Sequence, residues 1–152
     1  MTTPTLKAQL RSDLTTAMKA RDELRSATLR MALSSITTEE VAGKVARELS
    51  DDEVLKVLTR EVKKRKEAAE AFAGAGRAEQ AAREEAEGQV LTAYLPAQLT
   101  DDELQELVVA AVSETGAEGP KAMGAVMKVL TPRVAGRADG SRVAAAVKAE
   151  LS

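Results

Sequence analysis

Apolar side chains recur along the chain at helical spacing, and polar punctuation divides the pattern into seven helices. Leu6, Leu10, Leu14, Ala17 and Met18 form one stripe of a helix that begins after Pro4. Proline suits the first helical turn, where its missing N–H leaves no bond unmade. From Asp22 toward Glu40 run two apolar rows, Leu24, Ala27, Met31 and Leu29, Leu33, Ile36. Two rows imply burial over more than half the circumference, and so a central helix. Residues 41–49, with Gly43, read as a connection. Ser50-Asp51-Asp52-Glu53 is a capping box, in which the Ser50 hydroxyl accepts from the Glu53 amide and the Glu53 carboxylate reaches back. The third helix carries Val54, Leu58, Val62, Ala69 and Phe72 on one face and ends at Gly74 and Gly76. A fourth, from about Arg77 to Tyr94, is rich in Ala and Glu and stops before Pro96.

The same punctuation returns in the second half. Thr100-Asp101-Asp102-Glu103 opens a fifth helix with Leu104, Leu107, Val108, Ala111 and Val112 as its stripe, stopped by Gly116. Gly119-Pro120 opens a sixth, faced by Met123, Val126, Met127 and Leu130, which Thr131-Pro132 is expected to close. Gly136-Arg137-Ala138-Asp139-Gly140 reads as a turn with Asp139 as an N-cap, before a last helix lined by Val143, Val147 and Leu151. No window alternates with a period of two, so the expected class is all-α. The boundary falls around Pro96: an N-terminal helical domain of four helices over 1–95, then a C-terminal three-helix domain over 96–152. The second is near the lower size limit for folding alone.

Composition narrows the chemistry. One Tyr, one Phe and no Trp leave the core to Leu, Val, Ala and Met. No Cys and no His exclude disulfides, thiolate nucleophiles, imidazole metal ligands and a Ser-His-Asp triad. Phosphate-loop, dinucleotide and zinc-protease motifs are missing, so no cofactor, metal site or catalytic residue is assigned. Residues 1–14 lack the apolar run of a signal peptide, and no stretch is long enough to span a membrane. With the absence of Cys, this sets the expectation of a cytoplasmic protein without a membrane partner. A net charge of −2 argues against indiscriminate nucleic-acid binding but leaves room for a local basic patch.

Three features could carry function. Lys56, Arg60, Lys63 and Lys64 share one face of the third helix, opposite Leu58 and Val62. They are either a solvated face paired with Glu67 and Glu70 or a phosphate-contacting ridge. Arg65 projects into the apolar stripe, and its guanidinium is expected to pair with Glu61 or with an acid on another helix. Glu61 sits near the edge of that face, where it can rehydrate, so Arg65→Ala is expected to give an intermediate loss of stability. In the second half, 96–119 hold six acids and no bases, whereas 120–149 hold Lys121, Lys128, Arg133, Arg137, Arg142 and Lys148 against Asp139 alone. That segregation is either mutual pairing of helices or a positive surface around the Gly136–Gly140 turn, with Arg137 solvated. Tyr94, at a helix end beside Leu95-Pro96, is read as a packing residue with a wet hydroxyl.

Taken in order, several segments resemble the GatB/YqeY family. They are Arg21-Asp22-Glu23-Leu24-Arg25, Leu29-Arg30-Met31, Arg60 to Lys66, Ala75-Gly76-Arg77, Tyr94-Leu95-Pro96-Ala97-Gln98-Leu99 with Thr100 to Glu103, Met123 to Met127 and Gly136 to Gly140. The resemblance implies a stand-alone YqeY-like protein whose module is similar to the tRNA-holding tail of the B subunit of glutamine-dependent aspartyl/glutamyl-tRNA amidotransferase. It implies tRNA, and aminoacyl-tRNA or amidotransferase machinery, as partners. The family-level activity is a carbon–nitrogen ligase with glutamine as amido-N-donor. The residues carry none of the parts such an enzyme needs, so the chain alone is expected not to turn over. A helical protein-interaction adaptor is the further alternative. The amidotransferase tail usually has Asn-Pro where this chain has Asp139-Gly140, which places an acid beside the candidate RNA surface.

Overall fold

The first helix begins after Pro4, as expected, in the computed structural model, which describes residues 3–152, but Pro4 does not enter its first turn. The Thr5 hydroxyl accepts from the Ala8 amide at 3.1 Å, which makes it the N-cap of α1 (Leu6–Lys19) and leaves Pro4 one residue outside. The Leu6 amide, one of the donors a helix start leaves unpaired, is taken by Asp51 Oδ1 at 3.0 Å. Helix α2 (Glu23–Glu40) is capped by Asp22 and packs against the three other helices of its unit. Its inner side includes Ser26 and Thr28 beside Leu29, Ala32 and Ile36. Met31, expected in an apolar row, is instead 50% exposed, because the buried arc is centred on the Leu29–Ile36 row.

The capping box forms at the start of α3 (Asp51–Gly74), which buries Val54, Val57, Leu58, Glu61, Arg65 and Ala69. Val62 and Phe72 are only half-buried. At its end the chain turns through Gly76 at φ +75°, a left-handed conformation glycine adopts without strain. Helix α4 (Ala78–Thr92) is slightly shorter at both ends than its composition suggests. These four helices form one compact unit, Met1–Leu95, around Leu10, Leu29, Ile36, Leu58 and Leu91.

Pro96–Ser152 form the second compact unit. Helix α5 (Asp101–Thr115) has the Thr100–Glu103 capping box and ends on Gly116 at φ +63°. A 3-10 turn, Pro120–Ala122, leads into α6 (Met123–Val134), and α7 (Gly140–Leu151) follows, capped by Asp139. Pro132 does not close α6 but lies inside it. It sits in the last turn, where the missing N–H removes one bond and the helix ends two residues later. Leu104, Val108, Val126, Leu130, Val143 and Val147 fill the core. No strand occurs among the described residues.

Several carboxylates are held in their charged form. The Arg47 side chain and the Ser50 amide hold Glu53 well below the ordinary 4.5, at about 2. Lys7 Nζ at 2.7 Å and the Leu49 amide at 3.2 Å lower Glu40. Burial raises Glu61, but Arg65 and Ser35 hydrogen bonds and the nearby cations outweigh it and leave the group below its ordinary value. A carboxylate with a depressed folded pKa stabilises above its unfolded pKa and stops doing so as pH falls through the folded one. Denaturant melts followed by circular dichroism should therefore show stability falling between pH 4.5 and about 2. A flat profile through that window would contradict these assignments.

Candidate nucleic-acid interface

The three arginines in the basic half of the second unit help to hold the unit together. Segment 96–99 lies along the turn that joins α6 to α7. The Leu99 amide donates to the Arg137 carbonyl at 2.8 Å, and Gln98 Nε2 donates to the Gly136 carbonyl at 2.9 Å. In return, Arg137 Nε donates to the Ala97 carbonyl at 3.2 Å and Arg142 Nη2 to the Leu99 carbonyl at 3.0 Å. Gly136 is buried at φ +73°, which a side chain would strain. Pro96, half-buried, heads this latch and accepts from Gln98 Nε2 at 3.1 Å. Arg142 also pairs with Asp101 at 2.9 Å, and Arg133 with Glu114 at 2.7 Å, so basic helices are tied to the acidic one.

Arg137 is therefore not a free residue of the turn, although its hydrogen bond to Ala97 is solvent-exposed. It is partly buried, and its guanidinium closes the latch. Arg137→Ala is expected to lower the stability of this unit by about 1 kcal/mol, the loss of one hydrogen bond, rather than leave it unchanged. Loss of helical signal in a urea titration measures it, and coincident melts of variant and wild type would defeat it.

Lys121, Lys128 and Lys148 are the cations of this unit that remain. All three are exposed and make no ion pair with a described residue. Lys128 lies on α6 and Lys121 in the 3-10 turn that leads into it, with Gly124 and Ala125 exposed between them. Small side chains there let a ligand backbone approach the helix closely.

In the first unit the ridge on α3 is present but partly paired. Lys56 and Lys63 are exposed, Arg60 Nη2 reaches Glu39 at 3.4 Å, and Lys64 reaches Glu61 at 3.6 Å. Beneath it lies a charge network that sequence reasoning saw only in part. Arg65, 4% exposed, donates from Nη1 to Glu61 Oε2 at 2.7 Å and to the Glu61 carbonyl at 3.1 Å. Its Nη2 faces Met31 Sδ at 3.6 Å, and its Nε lies 3.4 Å from Glu87 Oε2 on α4 without hydrogen-bond geometry. Glu87, buried on α4, is paired in turn with Arg83 at 3.1 Å. Glu87 is the acid on another helix that the sequence allows for but does not name; a glutamate among the alanines of α4 is its only signal.

Tyr94 also departs from expectation. Its hydroxyl, partly buried, donates to Asp13 of α1. No three acids among the described residues are placed to hold a metal ion, and no helix is long and apolar enough to cross a membrane.

Comparison with known proteins bears on nearly the whole chain. Residues 7–151 match the family model described as Yqey-like protein. A Schizosaccharomyces pombe protein described as Uncharacterized protein C22F3.15 is 39% identical over 94 residues, covering 61% of this chain and 74% of that protein.

Proposed function

The chain belongs to the YqeY-like family, and we propose that it is a tRNA-binding accessory module that grips the nucleic acid through its phosphates. The observation that carries this reading is the set of lysines left over after pairing. Arg133 and Arg142 are taken by acids and Arg137 by a carbonyl, which leaves Lys121, Lys128 and Lys148 as exposed, unpaired donors. With one Tyr and one Phe in the chain, bases have almost nothing to stack on. The recognised features are therefore backbone and shape.

The test is a tRNA titration over a range of salt. Affinity must fall as salt rises, because phosphate contacts release counterions. Each of Lys121→Ala, Lys128→Ala and Lys148→Ala should reduce the salt slope by roughly one and weaken binding by about fivefold. Binding that is absent, or insensitive to salt, would reject the module. Val41 and Val45, 59% and 78% exposed in the α2–α3 connection, favour the adaptor as the second reading. Retention of a protein partner by a chain that does not bind tRNA would support it. Participation in a carbon–nitrogen ligase is checked by ammonia release from glutamine, with and without amidotransferase subunits, and none is expected from the chain alone.

A further inference from the structure

Between α2 and α3 the first unit has an open pocket of about 290 Å³ that the ridge overhangs. We propose that it seats a phosphate group. Its polar lining has a definite electrostatic order. Glu61 forms part of the wall, but its charge is already answered: Oε2 accepts from Arg65 at 2.7 Å and Oε1 from the Ser35 hydroxyl at 2.9 Å. Arg60 and Lys64 stand over it with side chains 62% and 73% exposed. Their contacts, 3.4 Å to Glu39 and 3.6 Å to Glu61, are longer than the roughly 2.7–2.9 Å of a formed charge-assisted hydrogen bond. Both therefore keep donors for a ligand.

The rest of the lining selects among ligands. Ser34 supplies a hydroxyl able to donate, and Thr38, whose Oγ1 donates to the Ser34 carbonyl at 3.0 Å, supplies an acceptor. Val57 is the one apolar wall, and no aromatic ring lines the pocket, so neither a nucleobase nor an apolar group is accommodated well. A guanidinium fork, a mobile ammonium and a hydroxyl suit a tetrahedral oxyanion with several acceptors. The lining itself carries two cations, Arg60 and Lys64, against one carboxylate, Glu61, which Arg65 already answers from beneath, so an anion is favoured. Glu39 is the internal competitor, because it occupies part of the Arg60 fork.

The phosphate belongs either to an RNA backbone, in which case the site rests on the tRNA reading and deepens it, or to a free phosphate ester. The experiment titrates the isotope-labelled full chain with inorganic phosphate at constant ionic strength, followed by amide shifts. Saturable shifts confined to residues 34–39 and 57–64 are expected. Arg60→Ala with Lys64→Ala should weaken phosphate binding at least about tenfold, and Glu39→Gln should tighten it severalfold. Both substituted cations are exposed, so helix content should not change. If the double variant loses phosphate and tRNA together, the pocket is a seat for RNA phosphate. If it loses phosphate while tRNA binding persists, the pocket serves a free phosphate ester. Absence of saturable shifts, or shifts the double variant leaves unchanged, overturns the pocket even where tRNA still binds through the second unit.

Discussion

Arg65→Ala is expected to lower the unfolding free energy of the first unit by about 3–5 kcal/mol, the range for removing one partner of a buried ion pair. The reason lies in what remains after the arginine is gone. Glu61 and Glu87 are 7% and 9% exposed, so each would keep a carboxylate in a site that no longer answers its charge. The sequence alone suggests a smaller effect, since Glu61 looks able to rehydrate at the edge of its face. The folded chain closes that edge with the Ser35 hydroxyl at 2.9 Å. Lys64 at 3.6 Å and Arg83 at 3.1 Å compensate in part, which keeps the loss within the stated range. A urea melt followed by Tyr94 fluorescence reads this unit specifically, because Tyr94 is the chain's single tyrosine and tryptophan is absent. Neutralising the acids gives the internal control. In a Glu61→Gln, Glu87→Gln background, Arg65→Met should recover most of the loss, because uncharged groups of similar volume need no counter-charge. A loss below about 1 kcal/mol for Arg65→Ala would mean that the network behaves as a surface pair.

The burial of Arg65 was legible because it depends on one helix. About 100° per residue places residue 65 among Leu58, Ala69 and Phe72 whatever the rest of the chain does. Both capping boxes were legible for the same reason, since donor and acceptor lie three residues apart. Glu87 was not, because its contact with Arg65 depends on how α4 docks on α3, which no local spacing encodes. Met31 shows the complementary failure. It belongs to a genuine apolar row, but α2 offers more apolar surface than its neighbours cover, and docking exposes the Met31 edge. Pro132 looks like a stop in the sequence, yet a proline in a final turn removes a single bond, which packing of Val134 into the core outweighs.

The candidate surface was legible as charge but not as availability. Segregated acids and bases in the second unit are visible in sequence, and either pairing or an open positive surface was consistent with them. The fold divides five of the six bases between the two and gives the sixth, Arg137, to the Ala97 carbonyl. Arg133 and Arg142 find Glu114 and Asp101 on α5, whereas the three lysines do not. The latch explains why two sequence segments stand out together. Ala97-Gln98-Leu99 and Gly136-Arg137 hydrogen-bond to each other across about forty residues. Resemblance at those positions is therefore first a statement about folding, and it moves the weight of the functional reading onto Lys121, Lys128 and Lys148.

Tyr94→Phe is expected to cost roughly 1–2 kcal/mol at neutral pH and to remove one component of the alkaline instability. The phenol donates to Asp13, and a hydrogen bond to a charged acceptor contributes about 1.5–3 kcal/mol, discounted here because the group is only partly buried. Burial first, then the hydrogen bond and charge of Asp13, raise the phenol well above its ordinary value of 10, and Arg25 offsets a part. A raised folded pKa means that the stabilisation is complete below the unfolded value and is lost as pH rises past it. Above pH 10 the wild type should therefore lose stability through this group by at most about 1.4 kcal/mol per pH unit, and the phenylalanine variant should lack that component. Because the chain has a single tyrosine, phenolate absorbance reports this site alone. In the folded protein it should appear well above pH 10 and, if unfolding comes first, together with the loss of helical signal. Asp13→Asn removes the charged acceptor but not the burial, so it should move the titration part of the way back. A phenolate midpoint near 10 in a chain that is still helical would show that Asp13 does not hold the hydroxyl.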